Sequence, residues 1–345
     1  MNPLSSNQSL KTSVQNRLIN KFICLFLLSL TSLSAGELKF SKYASEFMSI
    51  GIGGRALGMG NAFTSVANDV TSGYWNPAGL ADLVATQIIL MHDERFAGIV
   101  NYDYIGLGFK PSYVYSFAIS IIRVGVDDIP YTENSFIDNN GNGIFDPDVD
   151  RLDPEKFSFV SSSDWIVLTS FAKAINDRFS IGASAKLIYR KISKNTGIGF
   201  GFDFALKYKI SKTSIGLVLK DATSTLISWD TGRNELTTPS LIFGASTELE
   251  LLWGRFTPAF DLVFRFEGRN KTALLGTNFA SVDINAGVEY IYKDVIAVRF
   301  GYTENKELTL GTGLKLNRLD IDYSFAKFNS ELGNTHRISA KFSLH

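Results

Sequence analysis

Residues 178–190 read RFSIGASAKLIYR. Phe179, Ile181, Ala183, Ala185, Leu187 and Tyr189 fall on one face of an extended chain. Arg178, Ser180, Gly182, Ser184 and Lys186 fall on the other, because successive strand side chains point to opposite sides. The same period of two recurs outward from this stretch. Phe200, Phe202, Phe204, Leu206 and Tyr208 oppose Gly199, Gly201, Asp203, Ala205 and Lys207. Phe256, Phe260, Leu262, Phe264 and Phe266 oppose Thr257, Ala259, Asp261 and Arg265. Ile284, Ala286, Val288, Tyr290 and Tyr292 oppose Asp283, Asn285, Gly287 and Glu289. Further sets are Ile296/Val298/Phe300/Tyr302, Leu308/Leu310/Leu314/Leu316 and Ile338/Ala340/Phe342/Leu344. The runs span about 10 to 13 residues, against a mean near 5 or 6 in soluble proteins. A tilted strand crossing a bilayer needs roughly 9 to 11.

Alternation alone also fits a soluble sandwich with its apolar face inward. Two features select a membrane barrel instead. Aliphatic residues occupy mid-strand, with Tyr290, Tyr292 and Tyr302 toward the ends, as an interfacial girdle requires. The opposite face carries Asp203, Lys207, Glu289 and Arg299, which a dry core would not hold together but a wet lumen tolerates. The expected fold is therefore all-β: a transmembrane antiparallel barrel of about fourteen strands, an even number that leaves both chain ends on one side. The strands are expected at 85–92, 97–110, 113–124, 163–175, 178–192, 196–210, 212–220, 238–250, 253–266, 280–292, 294–303, 307–316, 318–328 and 334–344. Residues 272–276 could add a further piece. Short links such as Asn317 or Lys293-Asp294 are expected to be periplasmic turns. The long acidic insertion 127–162 then falls outside the cell, and 221–237 and 267–279 are read as loops.

The composition agrees. Of 345 residues, 27 are Phe, 13 are Tyr and 29 are Gly, with 8 Pro, which favours long strands over helices. The formal net charge is zero, so nucleic acid is not an expected partner. Residues 1–35 read as a secretory signal peptide. Lys11, Arg17 and Lys21 come without an acid, an apolar run FICLFLLSLTSL follows, and Ser34, Ala35 and Gly36 suit cleavage. The mature charge would be 31 − 34 = −3. Cys24, the single cysteine, lies within that run, so disulfides, thiolate metal sites and thiol catalysis are excluded from the mature chain. The expected division is 1–35 signal, 36–84 N-terminal hatch inside the barrel, and 85–345 barrel.

The hatch segment 51–79 reads GIGGRALGMGNAFTSVANDVTSGYWNPAG. Small residues and glycines predict short helical turns, at 61–68 and 72–75, stopped by Pro77. Arg55-Ala56-Leu57-Gly58-Met59-Gly60, then Ala62-Phe63, then Tyr74-Trp75-Asn76-Pro77-Ala78-Gly79-Leu80, resembles the opening of the PorV/PorQ family. That family belongs to the wider FadL-like group of outer-membrane barrels, whose hatch carries an Asn-Pro-Ala motif. The resemblance continues in Asn285-Ala286-Gly287-Val288-Glu289-Tyr290, Val298-Arg299-Phe300-Gly301-Tyr302, Leu319-Asp320-Ile321-Asp322-Tyr323 and His336-Arg337-Ile338-Ser339. It implies a bacterial outer-membrane location, contact with outer-membrane lipid, and one of two roles. One is the binding or passage of hydrophobic small molecules. The other is docking of exported proteins in type IX secretion. It singles out Arg55, Gly58, Gly60, Asn76, Pro77, Ala78 and Gly79 as hatch-motif residues.

Other chemistry is sparse. Arg55 has two readings: a partner of a lumen acid such as Asp203 or Glu289, or a surface charge. Asn76-Pro77 reads as a turn capping a hatch helix, with direct ligand contact as the alternative. Asp138, Asn140, Asn142 and Asp146, with Gly143, match the first half of an EF-hand-like loop. Position 12 is Val149, so Asp148 or Asp150 would complete a calcium site in the 138–150 loop. A solvated Asx/Gly turn is the alternative, and loss of calcium heat in Asp138→Ala would separate the two. No other cofactor is expected. Gly51-Ile52-Gly53-Gly54-Arg55-Ala56 is rejected as a dinucleotide fingerprint, since no strand–helix–strand unit follows. His92, His336 and His345 lack metal-ligand spacing, and no nucleophile elbow is present. The protein is expected not to be an enzyme.

Overall fold

The computed structural model describes residues 40–41, 46–96, 98–267, 269, 273–327 and 334–344. The expected signal peptide, the first part of the hatch and His345 lie outside them. Fourteen long strands among the described residues form one closed sheet. They are β1 (Thr86–Arg95), β2 (Val100–Phe109), β3 (Tyr115–Tyr131), β4 (Ser158–Ala174), β5 (Phe179–Ile192), β6 (Asn195–Ile210) and β7 (Thr213–Lys220). Then come β8 (Ser240–Thr247), β9 (Gly254–Arg265), β10 (Ser281–Tyr292), β11 (Ile296–Tyr302), β12 (Leu308–Lys315), β13 (Leu319–Lys327) and β14 (Asn334–Leu344). Each pairs antiparallel with its sequence neighbour. β14 returns to β1 with Phe342 opposite Ile88 and Ile338 opposite His92, which closes the barrel and removes both edges.

The faces decide the environment. On β6, Ile198, Phe200, Phe202, Phe204, Leu206 and Tyr208 all point outward and are 39–60% exposed. Ten residue steps at about 3.3 Å make ~33 Å along the strand. At a tilt of ~40° this is ~25 Å of bilayer, the height of an apolar barrel band. On β11 the outward Val298 and Phe300 are 56% and 48% exposed, while Arg299 between them is 1% exposed. A soluble sandwich has the opposite polarity. At the end with short turns the outward aromatics form a belt. Phe117 lies 5.6 Å from Phe109 and 5.2 Å from Phe171, Tyr115 lies 5.9 Å from Phe171, and Phe179 lies 6.4 Å from Tyr208.

The structure corrects the sequence reading in three places. First, β3 and β4 each run for 17 residues, so the long loop shrinks from 127–162 to 132–157. A register shift between Val126 and Ile129 lets pairing continue past Asp127-Asp128, where the pattern of alternation breaks. Second, 221–237 is not simply a loop. Thr225–Trp229 and Asn234–Thr237 form a hairpin that pairs with residues 197–200 of β6. Third, a hatch helix that the sequence reading lacked, α1 (Gly54–Gly58), precedes the turns at 61–68. α2 (Ser72–Trp75) lies where expected, and a 3₁₀ turn, Pro77–Asp82, begins at Pro77 rather than the chain leaving helical geometry there. Pro is well suited to a first helical position, because its missing N–H is an orphan there anyway.

Candidate functional site

The hatch is held against the barrel wall by small residues on both sides. Gly287 of β10 and Gly301 of β11 are direct cross-strand partners that face the lumen. A side chain at Gly301 would meet the backbone of Met59 and Gly60, and one at Gly287 the Met59 carbonyl. Gly60 has φ 61°, a left-handed conformation that glycine adopts without Cβ strain. A Cβ on Gly58 would lie 3.0 Å from the Gly311 Cα, and the Gly58 carbonyl accepts from Thr309 Oγ1 at 3.3 Å. The glycines on the polar strand faces are therefore the seat of the hatch backbone.

Asn76 organises the other side. It is fully buried, and its side chain uses an acceptor and both amide protons. Oδ1 accepts from Ala78 N at 3.0 Å, capping the Pro77–Asp82 turn. Nδ2 donates to Thr64 O at 2.8 Å within the hatch and to Leu206 O at 3.3 Å on β6. Ala78 and Pro77 pack on Gly182, and Gly79 packs on Ala67 and Ser72. Ser180 Oγ donates to Ala78 O at 3.0 Å and Ser184 Oγ to Gly73 O at 2.7 Å.

Charge pairs lock the hatch at two points. Arg55 on α1 donates from Nε to Glu289 at 2.8 Å and from Nη2 at 2.7 Å, and from Nη1 to Asn68 at 2.9 Å. Glu289 also accepts from Arg299 Nε at 2.7 Å, and Arg299 reaches Asp322 at 2.7 Å. Burial works against the Arg55 charge, but the Glu289 carboxylate outweighs it and holds the guanidinium pKa above its ordinary value. Asp203, the other acid considered for Arg55, instead accepts from Lys186 at 2.8 Å. At the hatch C-terminus Asp82 lies 3.0 Å from Lys207 and 2.6 Å from Lys209. Burial pushes the Asp82 carboxyl up, but the two ammonium groups overcome this and hold it below the ordinary carboxylate range. This stabilisation is present above the unfolded pKa and is lost as pH falls through the lower folded value.

Three features were not foreseen from the sequence. Asp261 on β9 accepts the backbone N–H groups of Phe63 and Thr64, each at 3.0 Å. Arg337 on β14 donates to Asp93 on β1 at 2.7 Å across the closing seam. Most importantly, one lumen wall is apolar. Ile122, Ile166, Leu168, Ile188, Ile227 and Trp229 point inward and are buried, and Phe47, Met48 and Ile50 of the 3₁₀ turn Glu46–Ile50 pack with that cluster. The Arg190 guanidinium stands 4.8 Å from the Phe47 ring and 5.5 Å from Trp229. The signal for this wall was present. Ile121-Ile122, Trp165-Ile166-Val167-Leu168 and Leu187-Ile188 are consecutive apolar residues that break the alternation, so both faces are oily there.

The 138–150 loop closes on its own backbone. Asp138 accepts from Gly141 N at 2.6 Å and Gly143 N at 2.7 Å, which with the neighbouring amides lowers its pKa. Asn140 accepts from Asn142 N, Asn142 from Ile144 N, and Asp146 from Asp148 N. Asp150 accepts from Asn139 N and Asp146 N, both at 2.8 Å. Among the described residues, no group of three or more His, Cys, Asp or Glu side chains converges as a metal set.

No family model and no curated protein matches the sequence. Solved structures do match its fold. The Pseudomonas putida toluene transporter TodX is similar with a TM-score of 0.59 at 12% identity, over 86% of this chain and 99% of that one. The CymD monoaromatic hydrocarbon channel is similar with a TM-score of 0.57 at 15% identity, over 86% and 98%. A Pseudomonas aeruginosa FadL homologue is similar with a TM-score of 0.51 at 12% identity, over 84% and 98%. The chain is a closed fourteen-stranded transmembrane barrel of FadL-like fold with a hatch seated in its lumen.

Proposed function

We propose that the protein is an outer-membrane channel that binds hydrophobic small molecules and passes them across the membrane. The observation that carries this reading is the apolar inner wall of Ile122, Ile166, Ile188, Ile227 and Trp229. A water-filled pore has no use for such a surface, and the opposite wall, with Glu289, Arg299, Asp322 and Arg337, is charged. The wall is covered in this structure, with Phe47, Met48 and Ile50 among the side chains packed on it, so an apolar solute gains roughly 25 cal/mol for each Å² it buries there as the 46–50 turn moves aside. The short turns face the periplasm and the 132–157 loop faces outward. Toluene and monoaromatic hydrocarbons, for which the similar channels are named, are the natural first probes.

Uptake of labelled toluene and of a long-chain fatty acid tests this in a host depleted of its own hydrocarbon channels. Expression should raise uptake of at least one probe. Ile188→Lys, which places a charge on the apolar wall, should abolish the gain while leaving a heat-modifiable barrel. Equal uptake with and without the protein contradicts the reading.

A second reading makes the chain a PorV/PorQ-type docking barrel for exported proteins. The hatch motifs favour it, as do exposed apolar residues at the long-loop end. Ile144 is 71% exposed, Leu275 68% and Phe279 76%. Stoichiometric co-purification with secreted proteins, without solute uptake, is the outcome that selects it.

A further inference from the structure

A cavity of about 400 Å³ opens at the short-turn end, apart from the apolar lumen wall. It lies where the Pro77–Asp82 turn meets the β2–β3 and β4–β5 turns. Lys110, Arg178, Lys207 and Lys209 line it, with Asp82 and Asp177, a balance of 4 − 2 = +2. The cations are only partly spent. Lys207 donates to Ala67 O at 2.6 Å and reaches Asp82, Lys209 uses one donor on Asp82, and Lys110 uses one on Ala81 O at 2.6 Å. An ammonium has three N–H donors. Lys110 and Lys209 therefore keep donors for an incoming acceptor.

The rim has a different chemistry. Tyr113 is 95% exposed, Ile175 47% and Val114 40%. These residues adjoin Tyr115, Phe117 and Phe171 of the aromatic belt. A belt of this kind marks the depth at which hydrocarbon gives way to headgroups. Basic donors inside and apolar side chains at the rim, at that depth, match one amphipathic anion. We propose that this cavity binds the phosphate of a glycerophospholipid from the leaflet on the short-turn side, its acyl chains running over Tyr113, Val114 and Ile175 onto the belt. The assignment rests on the membrane reading and is independent of what the lumen carries.

The test is native mass spectrometry of the full chain released from bilayers of phosphatidylglycerol, with phosphate-free diacylglycerol and inorganic phosphate as separate probes. Wild type should retain one phosphatidylglycerol. Lys110→Ser/Arg178→Ser, which leaves the Asp82–Lys209 pair of the hatch in place and is checked for heat-modifiable mobility, should retain at least tenfold less. Diacylglycerol should not be retained. Equal lipid retention by wild type and variant overturns the site. Equal retention of diacylglycerol by the wild type overturns phosphate recognition without needing the variant. Binding of inorganic phosphate with no retained lipid overturns the lipid assignment and leaves a free-anion site. Loss of solute uptake bears on none of these outcomes.

Discussion

Glu289→Gln should unseat the hatch and leave the barrel standing. Glu289 is 1% exposed and takes hydrogen bonds from Arg55 on the hatch and Arg299 on β11. The substitution leaves the isostere but removes the charge between the buried Arg299 guanidinium and the partly buried Arg55 guanidinium. Breaking a buried ion pair by removing one partner costs about 3–5 kcal/mol, because the surviving charge is uncompensated. The cost can be relieved without unfolding the wall. Arg299 keeps Asp322 at 2.7 Å, whereas Arg55, with 16% of its side chain exposed, keeps Asn68 at 2.9 Å and gains full hydration when α1 moves. The expected result in planar bilayers is a rise in single-channel conductance, with the population of displaced hatch up by roughly a hundredfold or more. Heat-modifiable mobility should persist. Arg55→Gln added to Glu289→Gln should bring conductance back down, since a neutral pair has no charge to release; this is a double-mutant cycle on one contact. Wild-type conductance in Glu289→Gln would show that the pair does not hold the hatch.

Gly301→Val should displace the same segment by volume rather than charge. The atoms a new side chain would meet belong to the Met59–Gly60 backbone, not to a flexible side-chain end. Overpacking costs about 1–3 kcal/mol where neighbours can yield, and here the backbone itself must retreat. Gly287, directly opposite on β10, leaves no neighbouring slack because its own Cβ position is filled by the Met59 carbonyl. The variant is expected to conduct like a chain lacking residues 46–83. If it conducts like the wild type, the hatch is not packed on the Gly287–Gly301 pair.

The barrel was legible in the sequence because its strands obey one rule over long runs: oily outward, polar inward. Each of the fourteen expected strands overlaps an observed one, and Phe200 to Tyr208 shows why, with five aromatic or aliphatic residues at strict alternate positions. Legibility failed where the rule is locally broken. At Asp127-Asp128 a bulge carries β3 onward through two acids that read as loop. At Leu187-Ile188 and similar pairs the lumen is itself apolar, so a functional surface looks like lost periodicity. The hatch was expected from its small residues, glycines and motif resemblance, yet its partners were not. Nothing in the spacing of Asp261, Glu289 or Arg337 says which hatch or wall atoms they meet, because those contacts join residues separated by about two hundred positions or more. In the 138–150 loop, carboxylates and amides at alternate positions serve backbone capping as well as they would serve a cation, and composition does not separate the two.

Acyl chains touch the outward face of this barrel and not its hatch, and the four tryptophans allow that to be measured directly. Trp165 points outward from β4 and is 41% exposed, whereas Trp75 is 6% exposed in the hatch, donating to Ile52 O at 3.0 Å. Variants retaining a single tryptophan can be placed in bilayers of lipids brominated along the chain. Strong quenching of Trp165 with Trp75 unaffected is the predicted result. Equal quenching of both, or of neither, would contradict the account.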